Sequence, residues 1–480
     1  MQPETKMEVS LQQEMDSMLR QISQVPGLYE RNNKLCRTNE ATQEVIDITR
    51  EELDIWLTEN FNFTKQDGRG VVTIIGEVPL RIVRECLALL PKYVPHIETI
   101  YEHAIIAPDY GCIDQTGYNE TLESYIFNEG GITWEGIDTS PESIEQAKSL
   151  IFDDLLYDFR FKDDASRSNY LAYLLTFPLR PVIDGNVPLL AISSPAACTG
   201  KSTLMQIAHM IWQNKMPVDQ VQYGSRVFDN NRKAYKTLCA VLQESPASLI
   251  FDNITRPFYT SYFAILLTDR VFEDRLRATS EIFTINFRTI TAMAGNNLSF
   301  LNEMRRRVYW CRLIERDGGS EFKHNLHDWV RANRTALMNA LYVLIKSWIE
   351  QGRPQSDIFF ASFQEWSNTI GGVLENADIP SFLEKQEDEE TVIMKKFCEV
   401  IYNEVGEDHF MVNDVIDLVL ASDKIPDNWL GEKSERSKKI QLTKHLGRHN
   451  NTDIGDYHLT VFSDQFSRMY RIVKRPADNQ

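Results

Sequence analysis

The sequence predicts an α/β protein with a central parallel sheet and flanking helices, a small N-terminal α+β module and a C-terminal winged-helix-like module. Apolar runs at 188–193, 249–252 and 290–294 have the length of buried strands, and helical patterns fill the intervals between them. Strands that alternate with helices form a parallel sheet, because each helix returns the chain to the sheet in the same direction. Near the C-terminal end, helical patterns precede two short strand patterns at 457–462 and 470–473.

The length indicates several domains. At roughly 100–200 residues per domain, 480 residues suggest about three. Hydrophobic residues make up 42% and charged residues 25%, a balance typical of globular proteins. We predict an N-terminal α+β module over 1–139, a central domain with a helical extension over 140–383, a charged linker over 384–391 and a winged-helix-like domain over 392–480.

Charge and cysteine content exclude several classes of protein. The formal net charge of −18 excludes a surface coated with nucleic acid, although a local cluster of Lys and Arg could still bind phosphates. The seven cysteines are scattered without a CxxC pair, so neither a zinc site nor a disulfide framework is indicated. No apolar run approaches the roughly 18–20 residues that span a bilayer. We therefore expect a cytoplasmic protein without a membrane partner.

The N-terminal module shows two helical patterns and one strand pattern. Residues 8–22 have the spacing of an amphipathic helix. The apolar run 71–75 predicts a strand that ends at Gly76, and Pro79 begins a second helix.

The central domain begins with two predicted helices. Ser140 is placed to cap a helix that starts at Pro141, and a second helix is predicted over 165–176. The first strand, 188–193, then leads into a loop and a helix over 201–212.

The loop between that strand and that helix has the character of a phosphate-binding loop (P-loop). A strand that enters and a helix that leaves give the structural context this motif requires. The helix N-terminus presents backbone N–H groups to an anion, Gly200 permits close approach, Lys201 reaches the β- and γ-phosphates, and the Ser202 hydroxyl ligates Mg²⁺. Pro195 replaces the first glycine of GxxxxGKS. The predicted nucleotide-binding residues are Ala197, Cys198, Thr199, Gly200, Lys201, Ser202 and Thr203.

A carboxylate at the end of the second strand is the candidate for the metal side of the site. Asp252 would hold Mg²⁺, partly through water, although it could also be a strand-end turn residue. Asn253 follows it, where a glutamate would activate water; an amide can orient water but cannot act as a base. The alternatives are that another carboxylate serves, such as Glu244, or that hydrolysis is slow.

Two further segments carry candidate catalytic residues. Asn296 and Asn297, after Gly295, could bridge the attacking water and the γ-phosphate, or form an ordinary turn. Arg306 and Arg307 could stabilise the transferring phosphoryl group across a subunit boundary. The alternative is a surface cluster that pairs with Glu303 or binds DNA phosphate. Asp274-Arg275 is either a buried ion pair that shapes the same subunit face or a solvated pair.

The order of these motifs resembles that of helicase-like AAA+ ATPases of phages, prophages and plasmids, which are related to superfamily-three helicases and often associated with primases. The segments that carry the resemblance are, in chain order, Pro108-Asp109, Gly117-Tyr118-Asn119, Asp158-Phe159, Leu179-Arg180-Pro181, the phosphate loop, Ile250-Phe251-Asp252-Asn253, Glu273-Asp274-Arg275, Gly295-Asn296-Asn297-Leu298 and Arg306-Arg307.

The resemblance implies a function and a set of roles. It implies an AAA+-like fold, ATP and Mg²⁺ as cofactors, and a homo-oligomeric ring, a hexamer, that acts in DNA replication. Lys201 and Ser202 would bind ATP and Mg²⁺, with Asp252 as the metal-side acid. Asn296 or Asn297 would be the sensor, and Arg306 or Arg307 the arginine supplied in trans. The Asp-Asn pair at 252–253 looks like a variant that this group uses.

Two features depart from the family. A primase segment is missing in front, which implies a separate primase partner or a different task. Arg277-Ala278 stands where Leu-Gly is expected.

A basic helix is predicted over 435–447 in an otherwise acidic chain. Its candidate DNA-binding residues are Arg436, Lys438, Lys439, Lys444 and Arg448, and contacts from them would be largely independent of base sequence. Ile440, Leu442 and Leu446 are expected to pack inward. The alternatives for the basic residues are a solvated helix face or a subunit contact.

Three functions remain open from the sequence. The first is an ATP-dependent DNA helicase that acts on single-stranded or forked DNA. The second is an ATP-gated DNA-binding origin or loading factor that does not unwind. The third is a defence or signalling ATPase in which nucleotide serves assembly.

Overall fold

The computed structural model describes residues 6–475, apart from 40, 129–130, 217–221, 225–230, 243–245, 255–260, 270, 276–281, 301, 316–322, 385–388, 427–428, 432–433 and 464–467. The chain divides into two compact units, residues 1–384 and 385–480. Glu244, Arg277 and Ala278 lie outside the described residues, as do residues 385–388 of the predicted linker.

The helices and strands have the following bounds in the described residues. The strands are β1 (Met7–Ser10), β2 (Tyr29–Arg31), β3 (Lys34–Asn39), β4 (Glu44–Asp47), β5 (Phe61–Gln66), β6 (Val72–Ile75), β7 (Thr99–Tyr101), β8 (Ile105–Ile106), β9 (Cys112–Ile113), β10 (Gly117–Asn119), β11 (Ser124–Ile126), β12 (Leu189–Ser194), β13 (Gln222–Gly224), β14 (Ser248–Ile254), β15 (Val271–Arg275), β16 (Ile282–Asn286), β17 (Ile290–Asn296), β18 (Val308–Arg312), β19 (Thr452–Ile454), β20 (Tyr457–Ser463) and β21 (Arg468–Lys474). The helices are α1 (Met15–Ile22), α2 (Arg50–Asn60), α3 (Leu80–Leu89), α4 (Pro141–Ser149), α5 (Asp164–Leu179), α6 (Lys201–Gln213), α7 (Asn231–Leu242), α8 (Ser261–Leu266), α9 (Leu326–Glu350), α10 (Gln364–Asn376), α11 (Glu389–Val405), α12 (Val412–Ala421) and α13 (Glu435–Arg448).

The N-terminal part of the first unit contains small sheets, ordered β1-β5-β6, β2-β3-β4 and β10-β11-β7. The prediction of one helix over 8–22 is wrong in its first half, because residues 7–10 form β1 and α1 begins only at Met15. β1 pairs in parallel with β5, from Met7 opposite Phe61 to Ser10 opposite Thr64. That partner lies far along the chain, so the local pattern carries no sign of it.

The largest sheet has five parallel strands in the order β13-β14-β17-β12-β18. β12 is buried along its whole length. β17 lies between β12 and β14, so the carboxyl ends of these three strands meet at one edge of the sheet. The first unit is therefore mixed α/β with several small sheets; the more specific AAA+-like assignment stays a prediction.

Helices α5, α6, α9 and α10 bury the aromatic core of the first unit. Trp212, Trp348 and Trp366 are fully buried in it. The segment at 102–104 packs directly on these helices, since Tyr342 donates a hydrogen bond to the carbonyl of Ala104 and Arg334 donates one to that of Glu102. The predicted module 1–139 and the central domain thus share one compact unit, and the boundary at 139 stays a prediction.

The second unit consists of three helices followed by an antiparallel sheet ordered β19-β20-β21. Phe410, between α11 and α12, pairs with Tyr470 of β21 through two backbone hydrogen bonds of 2.9 and 2.8 Å. The core contains Phe397, Ile401 and Ile472. The helix predicted over 435–447 is present as α13.

Across the part of the chain that the structure describes, no helix is both long enough and apolar enough to traverse a membrane.

Candidate nucleotide site

The phosphate loop joins the end of β12 to the start of α6. Gly200, at the entrance of the helix, has φ of +92°, a left-handed conformation that an L-residue adopts only with strain. A Cβ atom at this position would lie 2.7 Å from Cε1 of Phe159, which is too close. Cys198 is also left-handed, with φ of +59°. The loop therefore requires a glycine at 200 for two reasons. The backbone there is left-handed, and Phe159 leaves no room for a Cβ atom.

The side chain of Lys201 lies folded inside this loop. Its ammonium donates hydrogen bonds to the carbonyl oxygen of Ala196 at 2.8 Å and to Oγ1 of Thr199 at 3.1 Å. Burial lowers the pKa of Lys201 from its ordinary value, and the nearby carboxylate of Asp252 acts in the opposite direction. A cation held by a carbonyl and a hydroxyl is poised to exchange these weak partners for an anion.

Asp252 and Asn253 occupy an irregularity in β14. The pairing of β14 with β17 shifts its register between Phe251 and Ile254, so these two residues leave the ladder. Asn253 is left-handed, with φ of +56°, and its N–H donates to Oδ1 of Asp252 at 2.7 Å. Both side chains line the same cavity as the phosphate loop. The strand end therefore places a carboxylate and an amide beside Lys201.

The end of β17 brings the candidate sensor amides next to the loop. Gly295 lies so close to the carbonyl oxygen of Ile254 that a Cβ atom there would collide with it. Asn296 lines the cavity. The backbone N–H of Asn297 instead donates to the carbonyl of Ser194 at 3.0 Å, which ties the strand end to the loop entrance. Of the two predicted sensors, the one on the cavity wall is Asn296.

The cavity has a second wall that the sequence did not identify. Its volume is about 880 Å³, and besides the three strand ends it is lined by Asp158, Phe159, His324, Asn325, Leu326 and His327. The carboxylate of Asp158 accepts the N–H of Lys323 at 3.1 and 3.0 Å, and His327 contacts Oε1 of Gln206 at 3.2 Å. Asp158-Phe159 is marked in the sequence only by the family resemblance. The one local signal at 324–327 is a pair of histidines, among nine in the chain, at the start of α9.

The predicted trans arginines lie outside this cavity. Among the described cavity-lining residues neither Arg306 nor Arg307 occurs. Arg307 donates from Nη1 to the carboxylate of Glu303 at 3.0 Å, and Arg306 pairs with the same carboxylate. The bond from Arg307 and, to a smaller extent, the bond from Arg306 hold the pKa of Glu303 below its ordinary value. The Arg306 side chain is 63% exposed and that of Arg307 12%.

The alternative interpretation of the arginines, pairing with Glu303, is thus observed in the single chain, and the trans role stays a prediction. The side chains of Asp274 and Arg275 lie outside the described residues, while their backbone belongs to the hairpin β15–β16.

The donor set fits a magnesium nucleotide. Within the described residues no cluster of three or more His, Cys, Asp or Glu side chains could hold a metal ion alone. Mg²⁺ does not need such a cluster, because it retains several waters and is bound by one or two carboxylates together with phosphate oxygens. Ser202 and Asp252, both on the cavity wall, would supply the protein ligands.

The candidate DNA-binding residues lie on α13, in the second unit. Arg436 and Lys444 are exposed, Lys438 is half-buried, and Lys439 pairs with Glu435 at 2.6 Å. The side chain of Arg448 lies outside the described residues. The expectation that Ile440 packs inward is wrong: Leu442 and Leu446 are fully buried, whereas Ile440 is 49% exposed. Two residues along a helix correspond to a rotation of about 200°, which turns Ile440 away from Leu442.

No protein-family model matches the chain, and the comparison with curated proteins found no relative. Among solved structures, the A form apo structure of the NrS-1 C-terminal region is similar, with a TM-score of 0.41 and 13% identity over 95% of this chain and 98% of that chain. A second apo structure of that region gives a TM-score of 0.39 and 11% identity over the same shares. Similarity at this level supports no argument about function.

Proposed function

We propose that this chain is an ATPase that powers DNA remodelling, a ring-forming helicase of the type found in phages and plasmids. The observation that carries the proposal is the convergence of three strand ends on one cavity: the loop after β12 with Lys201, Asp252 and Asn253 of β14, and Asn296 of β17. Separate stretches of sequence predicted these groups, and phosphoryl transfer requires them together.

The phosphate end of the cavity would bind the triphosphate through the first turn of α6. N–H groups at a helix start lack intrahelical partners and attract anions. Lys201 would leave Ala196 and Thr199 and turn to the β- and γ-phosphates. Its partial burial strengthens that attraction, since water screens it less.

The metal and the water would lie between β12 and β14. Ser202 and Asp252 would hold Mg²⁺, which neutralises charge on the phosphates. Asn253 would orient the attacking water without removing its proton, and Asn296 would contact the γ-phosphate from the neighbouring strand. Asp158 is less suited to act as a base, because its carboxylate already accepts the backbone N–H of Lys323.

The second wall would receive the nucleobase. Phe159 and Leu326 are buried apolar side chains on that wall, and the ring of His324 stacks on Trp329 with centroids 5.0 Å apart. A planar base favours apolar and aromatic surroundings with a few polar groups that fix its orientation. This wall and the phosphate loop line the same cavity, so one nucleotide would contact both.

The assembled state would complete the site. Arg306 and Arg307 do not reach the cavity of their own chain, so a neighbouring copy would have to supply the cation that stabilises the transferring phosphate. The resemblance to phage and plasmid ATPases supports a hexameric ring and DNA as the partner.

A loading factor that binds ATP and does not unwind DNA is the second candidate. The observation that favours it is Asn253, because the described cavity wall offers no free carboxylate in the position of a base. Slow hydrolysis suits a protein whose ATP-bound state is the working state. A defence or signalling ATPase would share the site and differ in its response to DNA.

Measurements of ATP hydrolysis and strand displacement test the proposal. We expect hydrolysis that single-stranded DNA stimulates, and displacement of a forked duplex. Lys201→Ala should abolish both and weaken nucleotide binding, whereas Lys92→Ala, which removes an exposed lysine of the same unit, should change neither. Stimulation without displacement would favour the loading factor. Hydrolysis by Lys201→Ala at the wild-type rate would refute the site.

A further inference from the structure

The exposed face of α13 carries an apolar residue between two cations. Arg436, Ile440 and Lys444 are exposed and lie at positions i, i+4 and i+8, which place them in one row along the helix. Leu442 and Leu446 anchor the opposite face in the core. Ile440 is 49% exposed, so a large part of its apolar surface is available to a partner.

Charge is distributed unevenly in this unit. Between residues 433 and 475 there are ten Lys and Arg and four Asp and Glu, whereas residues 385–432 contain four Lys and Arg and thirteen Asp and Glu. The basic stretch contains α13 and the hairpin β20–β21. A partner that contacts this stretch is therefore expected to be negatively charged.

The two cations of the row are free of ion pairs among the described residues, unlike their neighbours. Lys439 pairs with Glu435, Arg471 with Glu407 and Arg475 with Asp453. Those pairs neutralise part of the charge of the basic stretch. The cations on either side of Ile440 keep their charge unneutralised among the described residues.

The dimensions and chemistry of the row fit duplex DNA better than a single strand. Eight residues of helix span about 12 Å, close to the width of the major groove, which admits an α-helix. Proteins that bind single strands rely on aromatic stacking platforms, and the row contains none. In the major groove the thymine methyl group is the feature that an aliphatic side chain contacts.

We propose that the Arg436–Ile440–Lys444 face binds duplex DNA in the major groove, with the two cations on phosphates and Ile440 against a thymine methyl group. This activity is separate from the nucleotide site, which belongs to the other compact unit. It does not require that the protein hydrolyse ATP.

Binding of the full chain to a short fluorescent duplex, followed by anisotropy without nucleotide over a range of salt, tests the inference. The variant Arg436→Glu/Lys444→Glu should bind the duplex at least about tenfold more weakly and reduce the slope of log K against log salt by about two. Arg436→Gln/Lys444→Gln should also weaken duplex binding. This variant replaces the first one if charge reversal prevents folding. Lys396→Glu, on the exposed surface of α11, is the matched control and should bind like the wild type.

A duplex in which uracil replaces thymine isolates the methyl contact. The wild type should bind this duplex about threefold to fourfold more weakly, the value of one buried methyl group, and Ile440→Ala should lose the discrimination. Equal discrimination by both proteins would overturn the role of Ile440. Equal weakening by Lys396→Glu and the double variant would overturn the assignment of the face. Unchanged duplex binding by the double variant together with a loss of self-association would also overturn this assignment, since the face would then contact a second copy. Lys201→Ala should bind the duplex like the wild type, so failure of the ATPase proposal leaves this result intact.

Discussion

Single backbone conformations control the phosphate end of the cavity. Gly200 combines a φ of +92° with a neighbour, Phe159, that leaves no room for a Cβ atom. Asn253 adopts φ of +56°, where asparagine is tolerated better than most residues. The chemistry of both positions thus depends on conformations that ordinary side chains resist.

Gly200→Ala should weaken binding of ATP analogues at least about tenfold, because left-handed strain of about 1–2 kcal/mol adds to displacement of Phe159. Titration with a fluorescent analogue measures it. The matched control is Gly352→Ala, since Gly352 has φ of +85° and a Cβ atom added there would meet nothing within 4 Å. That variant should lose stability and keep its affinity. Equal affinity losses in both would show that global strain, and not the contact with Phe159, is responsible.

Asn253→Gly should lower kcat at least about tenfold and leave nucleotide affinity unchanged, if the amide positions the attacking water. Glycine removes the amide and still permits the left-handed backbone, so the change isolates the side chain. Steady-state hydrolysis and analogue binding separate the two effects. An unaltered kcat would assign water activation to another residue.

At the scale of elements, two buried histidines connect α6 to the largest sheet and to the segment that precedes β8. Nδ1 of His103 contacts the carbonyl of Trp212 at 2.9 Å, and Nε2 of His209 contacts Oγ of Ser248 at 3.0 Å. Burial lowers the pKa of His103 to about 4 and that of His209 to about 3. Both imidazoles are therefore neutral in the folded protein.

The stabilisation that His103 and His209 contribute should decrease in acid. Because each folded pKa lies below the unfolded value of about 6.5, the stabilisation is complete above that pH and is lost as pH falls towards 4. The advantage of the wild type over His103→Asn in free energy of unfolding should shrink by about 2–3 kcal/mol between about pH 7.5 and 4.5. Urea unfolding measures it, with His409→Gln, an exposed histidine of the other unit, as control. An advantage that stays constant with pH would contradict the argument.

Local and long-range features of the elements differ in how far the sequence predicts them. The strand, loop and helix around Lys201 were predictable because their signals are contiguous. The wall at 324–327 was not predictable, since only the packing of α9 against α6 brings it to the same cavity as the loop. β1 was mistaken for helix because its partner, β5, is remote. Helical periodicity predicts that Ile440 is exposed, because it lies two residues from Leu442. The expectation that it packs inward came from its hydrophobicity alone.

At the scale of the whole molecule, the proposed catalytic site would be incomplete in a single chain. Glu303 pairs with both Arg306 and Arg307, neither of which lines the cavity, and only the Arg306 side chain is largely exposed. Arg306 is thus the better candidate to reach a neighbouring copy. If ATP binding draws it from Glu303 to a γ-phosphate, nucleotide and assembly become thermodynamically coupled.

Mixing of two inactive variants tests the shared site. Lys201→Ala removes the phosphate contact and Arg306→Ala the cation supplied in trans, so each alone should be inactive, while Arg306→Ala keeps nucleotide affinity. In an equal mixture that assembles at random, about a quarter of the interfaces combine an intact Lys201 with an intact Arg306, because a head-to-tail interface takes one half of its site from each copy. Hydrolysis should therefore recover to about that fraction of the wild-type rate. A mixture as inactive as its components, in a complex that sizing shows to be mixed, would place Arg306 outside the catalytic site and would leave Arg307 to be examined by the same complementation.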